Sequence, residues 1–267
     1  IRSVAFHAAR PLLFVASDDM LVHVFDWQRR HRVAVARGHE HYVLRAVPHR
    51  TLPIFASVGL DKTARLWRVP AEAVAAEPRT MDDDAGDANA KTPGWLSGCC
   101  RWWSGPAVGE DAPSVEALAV GRRHEEGING VEFDTASDHR LFTGSDDRTV
   151  MMWEFDATYA RLSPLRVIHQ GDHFMCFVAP LPVHAAGSGD PPLVLCGGED
   201  HRVVFVAASE PPVVVRGCRG DGRFWAAVVT PDASVAIVGH DSGFVGLRLP
   251  PSASVSGFAP LPLPLPE

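Results

Sequence analysis

The residues most suggestive of chemistry form a histidine-rich run. His39-Glu40-His41-Tyr42-Val43 begins like the H-E-x-x-H of a zinc protease. That chemistry needs a second histidine four residues after the first, so that both imidazoles face one metal from the same helical side. Position 43 is Val, and the run reads as a loop. His31 is near in sequence but is expected at the opposite end of the strands from His39 and His41. No metal site is expected, and none of G-x-S-x-G, a P-loop or G-x-G-x-x-G occurs. The five cysteines (Cys99, Cys100, Cys176, Cys196 and Cys218) are odd in number and form no C-x-x-C. They suggest neither a zinc site nor a disulfide framework, and a reducing compartment. The expectation is a protein that is not an enzyme and takes no cofactor.

Polar residues do recur, at a spacing that points to architecture. Asp19, Asp61, Asp147, Asp200 and Asp241 each follow an apolar run and precede another that ends near an aromatic residue. The units read FVASDDMLVHVFDW (14–27), FASVGLDKTARLWRV (55–69), LFTGSDDRTVMMWEF (141–155), LVLCGGEDHRVVFV (193–206) and VAIVGHDSGFVGLRL (235–249). Asp19 and Asp61 are 42 residues apart, and Asp200 and Asp241 are 41 apart. This is the period of WD-type propeller blades, about 40–45 residues. Each unit is then a four-stranded antiparallel sheet that buries its faces by stacking on its neighbours around a channel. The expected fold is an all-β WD-repeat β-propeller with about five recognisable blades.

In such blades a histidine before the first strand, a hydroxyl, the turn aspartate and a tryptophan can form a hydrogen-bonded chain. His124, Ser145, Asp147 and Trp153 supply all four in one unit. His39, Asp61 and Trp67 supply three in another, with Gly59 at the hydroxyl's place. Phe25 and Phe205 replace the tryptophan in two further units. These residues are expected to hold blades together, because buried polar groups are normally satisfied by one another.

The elements around these units complete the plan. Residues 1–69 hold two blades and 121–249 hold three. Between them, 70–120 reads as a mostly disordered surface insertion, acidic at MDDDAGDANAKTPG (81–94) and rich in Trp and Cys at WLSGCCRWW (95–103). That last patch reads equally as a partner-docking motif or as an apolar plug on a blade. The tail 250–267 is Pro-rich and reads as an extended linker. A net charge of -7 argues against nucleic acid as a partner, which would require a basic face. No apolar run reaches the roughly 18 residues of a membrane helix. The sequence opens at Ile1, already in a strand-like pattern, and is expected to be a piece of a longer chain.

Specific residues now carry a resemblance. Ile1-Arg2, FH at 6–7, SDD at 17–19, WQ at 27–28 and GH-x-HYV at 38–43 resemble the third blade of the N-terminal propeller in the large coatomer subunits. ASVGLDKTARLW (56–67) is similar to the fourth blade, EEGINGVEF with TGSDDRTVMMW to the fifth, and GRFWAAVVTPDASVAIVGHDSGFVGLRL (222–249) to the seventh. The RFW and GHD elements and the long insertion look like the α branch of that family, the DDMLV turn like the β′ branch. The resemblance implies seven blades, so two are expected outside this sequence. It also implies a peripheral place in the COPI coat on Golgi membranes and vesicles, in the cytoplasm. The partners it implies are other coatomer subunits and the C-terminal dilysine (KKxx or KxKxx) tails of membrane cargo. Arg2 and Asp18 match family pocket positions. In a four-stranded blade Arg2 enters the first strand, Asp18 lies in the turn between the second and third, and Tyr42 lies in the connection to the next blade, so all three should share one end. Asp18 would accept from a lysine, Arg2 would pair with the terminal carboxylate, and Tyr42 would pack on a lysine stem. A generic WD-repeat scaffold, such as a ubiquitin-ligase adaptor or a chromatin subunit, is the competing expectation.

Overall fold

The computed structural model describes residues 1–71, 112–158, 160–182, 191–230, 232 and 234–249. The elements are strands: β1 (Ser3–Phe6), β2 (Leu12–Ala16), β3 (Val22–Asp26) and β4 (His31–Ala36) form the first antiparallel sheet. The second takes β5 (Val43–Pro48), β6 (Ile54–Gly59), β7 (Thr63–Arg68) and, after a short β8 (Ser114–Val115), β9 (Ala117–Arg122). The third runs β10 (Ile128–Phe133), β11 (Arg140–Ser145), β12 (Thr149–Asp156), β13 (Arg161–Gln170). The fourth runs β14 (Met175–Pro180), β15 (Leu193–Gly198), β16 (Arg202–Ala207), β17 (Val213–Arg219). The fifth has three strands, β18 (Phe224–Val229), β19 (Val235–His240) and β20 (Gly243–Arg248). The first strand of each sheet packs against that of the next in chain order, as blades of a WD-repeat β-propeller do.

Packing between blades explains the strand sequences. Leu12, Phe14, Val22 and Val24 of the first blade meet Val43, Ala46, Phe55 and Trp67 of the second. The second blade's other side, with Val58, Ala64 and Leu66, meets Ile128, Val131, Leu141 and Trp153 of the third. A middle blade is therefore covered on both faces, and β6 is buried at every position. Such a strand reads as a continuous apolar run with no alternation. The end blades differ. Val4, Phe6 and Trp27 on the first and Val228, Ile237 and Phe244 on the fifth are exposed.

The turn aspartates work locally. Asp61 Oδ1 accepts the Thr63 amide at 3.1 Å, Asp147 Oδ1 that of Thr149 at 2.9 Å, and Asp200 Oδ1 that of Arg202 at 3.0 Å. The residue between the two partners, Lys62, Arg148 or His201, has a positive φ. An Asx turn holds the chain there and makes the left-handed residue tolerable.

The insertion differs from its expected boundary. β9 pairs antiparallel with β7 and completes the second blade, so the excursion lies inside that blade, and residues 117–120 belong to a strand. Alternation is faint there because the buried positions of β9 are the small Ala119 and Gly121, while the exposed position between them is the apolar Val120. β8 pairs in parallel with β4, which ties the excursion's return to the first blade. The stretches 81–94 and 95–103 and the tail 250–267 lie outside the described residues.

Candidate functional site

Two polar chains cross the second and third blades. In the second, His39 Nδ1 lies 2.8 Å from Asp61 Oδ2, His39 Nε2 lies 2.7 Å from Ser57 Oγ, and Trp67 Nε1 donates to Ser57 Oγ at 2.8 Å. An ionised carboxylate only accepts, so the ring proton sits on Nδ1. Nε2 then accepts the serine hydroxyl, whose oxygen accepts the indole N–H. In the third, His124 Nδ1 is 2.7 Å from Asp147, Nε2 is 2.7 Å from Thr143 Oγ1, and Trp153 Nε1 donates to Thr143 at 2.8 Å. The expected hydroxyl is corrected in both blades. It is Thr143, not Ser145, whose hydroxyl instead donates to the Gly127 carbonyl at 2.8 Å. Ser57 completes the second blade's set, so Gly59 replaces nothing.

The electrostatics of these chains suit structure. Burial opposes ionisation of Asp61, but the His39 ring, Thr63 and the Glu40 amide outweigh it and hold its carboxyl well below the usual range. Burial pushes His39 down, against the pull of Asp61. His39 is enclosed and His41 is exposed, so the run 39–43 brings no two ligands together. Among the described residues, no group of three or more His, Cys, Asp or Glu is arranged to hold a metal ion. Burial, with Glu199 and Asp146 nearby, pushes the Cys176 thiol up to about 12, so it is not a poised nucleophile.

The three residues expected at one end do meet there. Arg2 Nε donates to Asp18 Oδ1 at 2.6 Å, and the Arg2 guanidinium carbon lies 5.7 Å from the centre of the Tyr42 ring. The Val43 amide donates to the Ser17 carbonyl at 3.2 Å, which ties the second blade's entry to the first blade's turn. The ring of His41 packs edge-on against Tyr42 at 4.7 Å between centroids. The result is an exposed guanidinium, carboxylate and ring held by two blades.

The same end carries further acids that the sequence reading missed. Leu60, Asp146, Glu199 and Asp241 each donate a backbone amide to the carbonyl at their own blade's entry, Tyr42, Gly127, Phe174 and Arg223 respectively. They are equivalent positions of the repeat, and three of the four are acidic. Asn129 Nδ2 donates to Asp146 Oδ1 at 2.6 Å. Burial raises Asp146, Asn129 opposes this, and Glu199 and Glu126 add to the rise. Asp241, expected as a turn aspartate, thus sits one place before that position, which Ser242 occupies in the fifth blade. Its carboxylate accepts from Trp225 Nε1 at 2.7 Å and Arg223 Nε at 3.2 Å, and does not close its own turn. The signal was the acid preceding the turn aspartate, in Asp18-Asp19, Asp146-Asp147 and Glu199-Asp200.

Comparison with known families agrees with this architecture. The model of the WD domain, G-beta repeat, matches residues 1–26 and 116–154. No curated protein matches the chain. A repeat of this type builds protein-interaction scaffolds.

Proposed function

We propose that this propeller is a cargo-binding module of the COPI coat that reads C-terminal dilysine tails in Golgi-to-ER retrieval. One observation carries the reading: Arg2, Asp18 and Tyr42, far apart in sequence, converge at one blade end with charges that complement such a tail. Arg2 Nε engages Asp18 Oδ1, which leaves Oδ2 to accept a lysine ammonium. The remaining guanidinium N–H groups can take the terminal carboxylate as a bidentate pair. The Tyr42 ring offers a face for the aliphatic stem of a lysine. Asp146 and Glu199 on the same rim add negative potential that steers a cationic tail inward. In this reading the protein works in the cytoplasm on Golgi membranes and coated vesicles. It associates with the membrane peripherally, through other coatomer subunits. Its resemblance to the coatomer propellers, stronger for the α branch, supports that setting.

Titration of a fluorescent Lys-Lys-x-x peptide against a Ser-Ser-x-x control tests the proposal. A charge-assisted contact of about 1.5–3 kcal/mol makes Asp18→Ala weaken the dilysine peptide about tenfold or more. Equal affinity for the two peptides, or unchanged affinity in both Asp18→Ala and Arg2→Ala, would refute it. The generic scaffold reading then stands.

A further inference from the structure

The fifth blade carries a second arrangement of the same three chemical groups. Arg223 and Trp225 lie at the start of β18, and Asp241 lies in the turn after β19. Arg223 Nε is 3.2 Å from Asp241 Oδ2, and the Arg223 guanidinium carbon is 4.8 Å from the centre of the Trp225 ring. In the first site the corresponding distances are 2.6 Å for Arg2 to Asp18 and 5.7 Å for Arg2 to the Tyr42 ring. Exposure matches too: the side chains of Arg2 and Asp18 are 47% and 46% exposed, those of Arg223 and Asp241 47% and 39%. Tyr42 and Trp225 are 39% and 45% exposed. The carboxylates occupy the turn after the second strand of their blades, so both arrangements face the same end of the propeller.

The second set has features that favour a ligand. Trp225 Nε1 donates to Asp241 Oδ1 at 2.7 Å, which fixes the indole plane beside the carboxylate. Glu199, from the neighbouring blade, lies 3.7 Å from the Arg223 guanidinium and 3.2 Å from His173. It adds a second negative charge beside the Arg223 guanidinium. Phe174, also exposed on that neighbouring blade, packs its ring edge-on against His173. A flat aromatic face between carboxylates and a guanidinium suits a lysine stem, its ammonium and a nearby carboxylate.

From this repetition we infer that Arg223, Trp225 and Asp241 form a second tail-binding site, taking a lysine-bearing C-terminal peptide of the same class as the first. The inference rests on the reading that Arg2, Asp18 and Tyr42 bind such tails. Asp241 has both oxygens engaged, Oδ1 by Trp225 and Oδ2 by Arg223, so the second site is the weaker of the two. One propeller then holds two tails on one face, as a dimeric cargo would present them.

Calorimetric titration with a peptide ending in Lys-Lys-Ser-Ser reads the number of sites. Two tails should bind per wild-type chain, and one per chain in Asp241→Asn, in Trp225→Phe and in Asp18→Ala. Proton–nitrogen spectra supply a readout of binding taken on the wild-type chain itself. The Trp225 indole resonance, assigned by its loss in Trp225→Phe, should shift in the wild-type chain only at the higher peptide concentrations. One tail per wild-type chain, lost in Asp18→Ala and unaltered in Asp241→Asn, overturns the second site and leaves the first reading standing. An indole resonance that is unmoved at saturating peptide also overturns it. Unchanged binding in Asp18→Ala with loss in Asp241→Asn sinks the first reading and retains the second site.

Discussion

Replacing Thr143 by Val tests whether the buried hydroxyl holds the third blade. The two side chains have nearly the same shape, so no cavity forms and the loss is that of hydrogen bonds alone. Two groups lose a partner: the Trp153 indole N–H, now at 2.8 Å, and His124 Nε2, now at 2.7 Å. Trp153 is fully buried and His124 nearly so, and water cannot substitute at the indole. Each buried group left unsatisfied costs about 1–3 kcal/mol, so the pair costs roughly 2–6 kcal/mol. At about 2–4 °C per kcal/mol for a domain of this size, the thermal midpoint should fall by about 4–24 °C. Ser145→Ala is the contrasting variant. The Gly127 carbonyl it abandons still accepts the Asp146 amide at 2.9 Å, and the Asp147 amide it releases, at 3.2 Å, lies in a partly exposed turn, so the cost should be about 0.5–1.5 kcal/mol. Urea titration followed by tryptophan fluorescence compares the two through their midpoints at equal slope. If Ser145→Ala costs as much as Thr143→Val, or Thr143→Val costs under about 1 kcal/mol, the assignment of the hydroxyl is wrong.

Stability should fall in two stages on acidification. Burial lowers His39 and His49 in the folded chain, so the fold favours their neutral forms. Their contribution is complete above the unfolded value of about 6.5 and declines as pH falls below it. Asp61 and Asp147 are depressed in the folded chain, so a second decline begins below about pH 4. A thermal midpoint that stays flat from pH 7 to 5 would contradict the first stage. Gly59→Ala should disturb the peptide site from outside it, because a Cβ there collides with the Tyr42 carbonyl oxygen. Dilysine binding should weaken with the Tyr42 ring displaced, and affinity equal to wild type would show that the backbone yields elsewhere. The exposed Phe6 and Phe244 on the end blades should promote self-association. Sedimentation at increasing concentration should show this for the wild-type chain and much less for Phe6→Glu with Phe244→Lys. Identical profiles would assign these faces no adhesive role.

The repeat and the blade were legible in the sequence because their signals are local. An apolar strand, an aspartate that caps its own turn and a returning strand need only neighbouring residues. Asp61 with Thr63 and Asp147 with Thr149 form as read. The meeting of Arg2, Asp18 and Tyr42 at one end was also legible, since antiparallel topology alone sorts turns to one end or the other. The choice of hydroxyl was not. Thr143 and Ser145 point to the same face of β11, because side chains alternate with period two. Cross-strand register decides between them. Leu141 pairs with Trp153, which places the indole diagonally over Thr143, as pairing of Phe55 with Trp67 places the other indole over Ser57. The second triad was hidden for the same reason. Trp225 and Asp241 stand 16 residues apart, and Asp241 resembles a turn aspartate until the pairing of β18 with β19 sets it one place earlier, against the indole. Local turn chemistry is written along the chain, whereas register is a property of two strands at once, so which buried or rim groups meet was settled only when the sheets formed.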